Sequence, residues 1–290
     1  MTWQIAITLQ VFISALMTMF TRRITLSTKR VFFGVGVTSY FIVALCGLVF
    51  SLIYNHALPA PPSTSAWLYI LIEGLCVPAA WLIQYKLIGY IGAGNAVTVS
   101  TLNTTSTALL GILFLHEGFS MNFIIGAVFI IAGTLITLRI RPDLDHRSSA
   151  PFSLMLGLVV AGASLFATGM YFEKVAISAI GVWNYSAYGW GMQLIGAAIL
   201  FILFGRKEIP HLTRRIIKNG LLLGLITSLA GGLYIYALSE GSLSHTIVAT
   251  SGKVAITVFL AAVFLKERNN LPFRISAFTL SMIGLWLVIY

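Results

Sequence analysis

VFFGVGVTSYFIVALCGLVFSLIY, residues 31–54, is a run of 24 residues without one Asp, Glu, Lys or Arg. As a helix it would reach about 36 Å, and the hydrocarbon core of a bilayer is about 30 Å thick. Lipid offers no partner to backbone N–H and C=O groups, so a run of this kind must pair them internally as a transmembrane helix. Working outward, nine more apolar runs can be marked, at 3–21, 66–88, 93–115, 121–138, 152–172, 181–204, 219–238, 243–265 and 273–290. Polar or Pro-containing stretches separate them, among them NHALPAPPSTS (55–65), RPDLDHRSS (141–149) and KERNNLP (266–272). The run at 3–21 has no basic region before it and reads as the first membrane helix, not as a cleaved signal. The chain is 58% hydrophobic and 9% charged, where a soluble domain carries roughly 25% charged residues. The sequence therefore predicts an all-α polytopic membrane protein with ten transmembrane helices.

The net charge of +10 does not point to nucleic acid, because the basic residues sit in short connections and form no stripe. Of 18 Lys and Arg, sixteen fall in odd-numbered loops, counting Arg22 and Arg23 with loop 1 and Lys86 with loop 3. Even-numbered loops hold only Lys174, and Lys253 lies within a helix. Loops rich in Lys and Arg stay in the cytoplasm, so both termini are expected on the non-cytoplasmic side. Short loops suit a plasma (inner) membrane. Cys46 and Cys76 lie in apolar runs and read as small buried hydrophobes. No Cys/His spacing suits a metal, and no cofactor is expected.

A shift of 150 residues lays Phe114-Leu115-His116-Glu117 and Phe123 over Phe264-Leu265-Lys266-Glu267 and Phe273, with Thr107 on Thr257 and Leu110 on Leu260. Both copies bridge the last two helices of a half. The chain thus divides into a five-helix repeat at 1–140, a cytoplasmic linker at 141–151 and a second repeat at 152–290. An odd helix number turns the second repeat upside down relative to the first. Such a 5+5 inverted repeat suits a binding site near the midplane, between the halves.

These features resemble the drug/metabolite transporter superfamily, EamA type. The F-L-x-E turn occurs in each half. The stretch from Ser251-Gly252-Lys253 through Leu265-Lys266-Glu267 is similar to that family's penultimate-helix pattern, and Trp81…Tyr85-Lys86…Gly89…Gly92-Ala93 to its third-to-fourth helix passage. The resemblance implies a transporter and leaves its substrate open. Position 103, opposite Lys253 in the repeat, is Asn. The outward termini also depart from many relatives.

An intramembrane charge is costly and usually faces a partner or a wet cavity. Thr246, Thr250, Lys253 and Thr257 share one helical face, as do Tyr69, Glu73, Cys76, Ala80 and Gln84. Lys253, alone or with Glu73, can line a substrate cavity, form a structural ion pair between the halves, or snorkel to the interface. Ser100, Asn103 and Thr107 share a face of a helix rich in Ser and Thr, whose hydroxyls can instead bond backbone carbonyls. Trp81, Tyr85, Tyr234 and Tyr236 are candidates for stacking on a ligand, or for ordinary packing. Pro78 is expected to kink its helix. Gly220 and Gly224 have a helix-packing spacing. Glu117 and Glu267 read as caps in the matched turns. Glu173 and Glu240 are assigned to outer loops.

No phosphate loop for ATP is present. The leading expectation is a secondary transporter of a small metabolite, an amino acid or other carboxylate- or phosphate-bearing solute, using alternating access. A proton or a counter-solute would drive it. The partners are that solute and the bilayer, and the oligomeric state is open. Alternatives are efflux of cationic or hydrophobic drugs, and a channel or scaffold subunit. A lipid-modifying enzyme would need an acidic or His cluster at the headgroup level, and the loop residues supply none.

Overall fold

The computed structural model describes residues 2–27, 31–56, 59, 61–116, 121–139, 151–264 and 271–289. They form α1 (Trp3–Ser27), α2 (Phe32–Asn55), α3 (Thr64–Ile91), α4 (Ala93–Val99), α5 (Thr101–Leu115), α6 (Met121–Arg139), α7 (Phe152–Ile180), α8 (Val182–Leu200), α9 (Arg214–Glu240), α10 (Leu243–Thr250), α11 (Lys253–Phe264) and α12 (Leu271–Ile289). A π-helical turn (Phe201–Gly205) and a 3₁₀ turn (Arg206–His211) continue α8. No strand occurs among the described residues. The pairs α4–α5 and α10–α11 are each one expected span, broken midway. Among the described residues, eight spans are long and apolar enough to cross a membrane, and α6 and α12 are apolar over Ile124–Thr137 and Ile275–Gly284. Leu48, Ile53, Val128, Ile195 and Leu229 are among many large apolar side chains exposed on the outside of the bundle. That distribution suits lipid as the solvent.

Several helices run further than hydropathy alone predicts, because a charged residue near a span's end need not end the helix. Arg22 was expected in a loop, yet it lies in α1, 2% exposed, and donates to the carbonyls of Ile88 (2.7 Å) and Gly89 (3.2 Å) at the end of α3. In the second half, Lys174 of α7 donates to Leu238 (2.7 Å) and Gly241 (2.8 Å) at the end of α9. Ile88 and Leu238 are 150 residues apart. Each half thus holds the same device, a cation satisfying the orphan carbonyls at a helix C-terminus.

The packing follows the same exchange. Helix α1 lies on α9 as α7 lies on α3, α2 on α9 as α8 on α3, and α4 on α11 as α10 on α5. The pairs α2–α8 and α6–α12 match each other across the halves. Close helix approach makes this possible. A Cβ at Gly224 of α9 would come within 2.5 Å of the Ser39 carbonyl of α2, and one at Gly196 of α8 would overlap the Gly74 carbonyl of α3. Caps fix several helix starts. Ser63, Thr213 and Ser242 accept from the third backbone N–H beyond them. The α2 start is capped from a distance: the Glu208 carboxylate accepts from Phe32 N (3.0 Å) and Gly34 N (2.9 Å). Glu117 and Glu267, expected as caps, and most of the linker 141–151 lie outside the described residues.

Candidate functional site

The two broken spans meet at the centre of the bundle. At each break a serine adopts the same backbone conformation: Ser100 has φ −67° and ψ −6°, and Ser251 has φ −71° and ψ −13°. One tight turn follows each, with Asn103 N donating to Ser100 O (3.0 Å) and Val254 N to Ser251 O (2.9 Å). The second break falls one residue later than a shift of 150 places it. The hydroxyls of Thr104 and Ser251 bond across the halves at 2.7 Å. The continuous faces predicted for these two spans are therefore interrupted. Thr246 and Thr250 end up on α10, and Lys253 and Thr257 on α11.

Around the breaks lie two adjoining chambers, with cavity volumes of about 40 and 100 Å³. They share Met17, Trp81, Phe166, Ile247, Thr250 and Lys253 as walls. The first extends toward the odd-numbered loops and adds Thr18, Gln84, Tyr85, Ser100, Asn103 and Thr104. The second extends toward the even-numbered loops and adds Gln10, Ser14, Glu173, Trp190, Gln193 and Tyr234.

Of the candidates Lys253, Glu73, Asn103, Thr107, Thr250, Thr257, Trp81, Gln84 and Tyr85, six share one polar space: Lys253, Asn103, Thr250, Trp81, Gln84 and Tyr85. Lys253 is the first residue of α11 and opens on both chambers. It makes no hydrogen bond or ion pair among the described residues. Gln84 donates to the Ala96 carbonyl (3.2 Å), tying α3 to α4 beside the break. The Trp81 and Tyr85 rings lie 6.3 Å apart.

The other three stand behind the walls. Thr107 is fully buried and donates to the Asn103 carbonyl (2.8 Å). Thr257 is fully buried, and its hydroxyl has no partner among the described residues. Glu73 is also fully buried and accepts from the Gln193 side chain, not from Lys253. The Ser and Thr hydroxyls of α4 and α5 behave as sequence chemistry allows: Thr98, Ser100, Thr101 and Thr105 donate to backbone carbonyls three or four residues back.

Glu173 is the residue the sequence reading misplaced. It was assigned to an outer loop, but α7 continues to Ile180, and Glu173 is 3% exposed within the bundle, on the wall of the second chamber. Its signal was the spacing Phe166, Met170, Glu173, which runs along one helical face past the end of the apolar run. Gln193, an amide deep inside the run 181–204, carried a similar signal.

A helical bundle with two broken helices around a central polar cavity has the architecture of a polytopic membrane protein. The EamA-like transporter family model matches residues 1–139 and again 153–290. The chain belongs to that family. A Sinorhizobium protein described as an uncharacterized transporter in the cobO 3' region is 30% identical over 70 residues, 24% of this chain. That match spans about half the length of the Sinorhizobium protein. An uncharacterized Methanocaldococcus jannaschii protein is 28% identical over 138 residues, covering 47% of this chain and 90% of its own. One solved crystal structure superposes with a TM-score of 0.66 at 15% identity, over 97% of this chain and 95% of that one. At that identity it speaks for the fold alone.

Proposed function

We propose that this chain is a secondary transporter that carries a small solute bearing a carboxylate or phosphate, an amino acid or similar metabolite, by alternating access. The observation that carries this reading is Lys253, which begins α11 at the helix break and opens on both chambers. Its ammonium and the positive end of the α11 dipole favour the same sign of ligand charge. Asn103, Thr250 and Gln84 line the same space with neutral polar groups, and Trp81 and Tyr85 offer apolar faces for the rest of the solute. Thr107, Thr257 and Glu73 support these walls from behind.

In this reading residues 1–140 and 152–290 are the two moving bodies, and 141–151 is their cytoplasmic tether. The equivalent contacts across the halves support two alternative states of similar energy, the requirement for alternating access. The bias of basic residues supports odd-numbered loops inside and both termini outside a plasma membrane. Driving energy comes from a proton or from an exchanged solute.

The test is a thermal-shift screen of the purified chain against a metabolite library, then counterflow of each stabilising solute in proteoliposomes. A ligand of the folded state raises the unfolding temperature. Anionic or zwitterionic hits with saturable counterflow support the proposal. Stabilisation by cations alone, or flux that does not saturate, contradicts it.

A further inference from the structure

A second polar centre lies in the half of the bundle near the even-numbered loops. Glu73 of α3 and Glu173 of α7 are 0% and 3% exposed, and they act on each other electrostatically. Tyr185 of α8 is fully buried, with its hydroxyl against both carboxyl groups. One oxygen of Glu73, one of Glu173 and the Tyr185 hydroxyl have no hydrogen-bond partner of proper geometry. The other groups set against the pair are the Tyr40 hydroxyl from α2, the Tyr234 hydroxyl from α9, the Cys76 thiol from α3 and the Gln193 amide from α8. Lys174, next to Glu173 in the chain, is directed to the carbonyls of α9.

Two carboxylates shut away from water repel each other strongly, and each loses its hydration. Hydroxyls and one amide can orient around them but supply no net positive charge. The Tyr185 hydroxyl lies against both carboxyl groups, and a cation there would restore the balance. We propose that Glu73, Glu173 and Tyr185 form a site for a monovalent cation, a proton or sodium, separate from Lys253. Glu173 and Lys253 line the same chamber, so cation and solute meet in one polar space. Cation binding rests on this geometry alone. Its coupling to solute movement rests on the transport reading above.

The experiment is infrared difference spectroscopy of the full chain in lipid nanodiscs, on wild type, Glu173→Gln and Glu73→Gln. The pH is stepped between about 5 and 9, spanning the range where perturbed carboxyls titrate. At the upper end, sodium chloride replaces choline chloride. A pH-dependent protonated-carboxyl band, present in wild type and lost in either variant, supports the site with a proton as ligand. A sodium-dependent shift of the carboxylate band, also lost in the variants, supports it with sodium. In the second case sodium also raises the unfolding temperature of wild type by a few degrees.

Wild-type spectra without a carboxyl response to either ion overturn the proposal, as does a response retained in both variants. Should a Gln variant not fold, Glu173→Asp replaces it and must shift the band. No solute enters the measurement, so its failure is distinct from a failure of the transport reading.

Discussion

The two helix breaks share a backbone and differ in chemistry. Ser100 and Ser251 turn the chain alike, and α4 meets α11 as α10 meets α5. Beside the first break stands Asn103, a neutral amide, and beside the second stands Lys253, a cation. In the proposed reading, a symmetric frame with two similar states permits motion, and divergence within it supplies the polarity that a solute reads. The difference teaches that the geometry of the breaks belongs to the fold, and the proposal assigns selectivity to a few positions where the halves no longer match.

The comparison breaks most sharply at Lys253. Lys253→Ala is expected to weaken solute binding by about 2–4 kcal/mol, roughly 30- to 1000-fold, as for loss of one partner in a buried charged contact. Counterflow should fall to background while the protein remains inserted and folded. At the first break, Asn103→Ala removes only a neutral amide, and a loss of about 1 kcal/mol, roughly fivefold in affinity, is expected from the same binding assay. Equal effects at the two positions would show that charge asymmetry does not set the selectivity.

Smaller changes probe the frame. Ser251→Ala removes the bond to Thr104, and a double-mutant cycle with Thr104→Ala should give a coupling of about 1 kcal/mol in thermal unfolding. Glu208→Ala uncaps α2 and should lower stability by about 1 kcal/mol without altering solute specificity. A change in specificity would place the α8–α9 connection in the site.

Much of this was legible in the sequence. Apolar runs and the parity of basic loops yield ten spans, because lipid punishes an unpaired backbone and charge must stay at the ends. Lys253, Asn103 and the Trp81–Tyr85 segment could be found because polar groups are conspicuous in long apolar runs. What escaped has a common cause. Arg22, Glu173 and Lys174 were read as loop residues, since a hydropathy run stops at the first charge. In the folded chain helix carbonyls pair with Arg22 and Lys174, and Glu173 is enclosed by the bundle, so the helices continue past them. The breaks escaped too. Ser100 and Ser251 keep helical-region dihedrals, and although Gly252 stands in the second break, neither Gly nor Pro marks the first. Gln193 took the Glu73 carboxylate that sequence depth alone could have paired with Lys253.

The central claim is that the space around Lys253 opens in turn to both sides of the membrane and holds the solute. Thr250 lines both chambers, so Thr250→Cys, in a chain whose Cys46 and Cys76 are replaced by alanine, reports on it directly. A membrane-impermeant thiol reagent, applied separately from each side of proteoliposomes, should modify Cys at 250 from both, and a stabilising solute should slow both reactions. Modification from one side only, or rates untouched by saturating solute, would contradict the account.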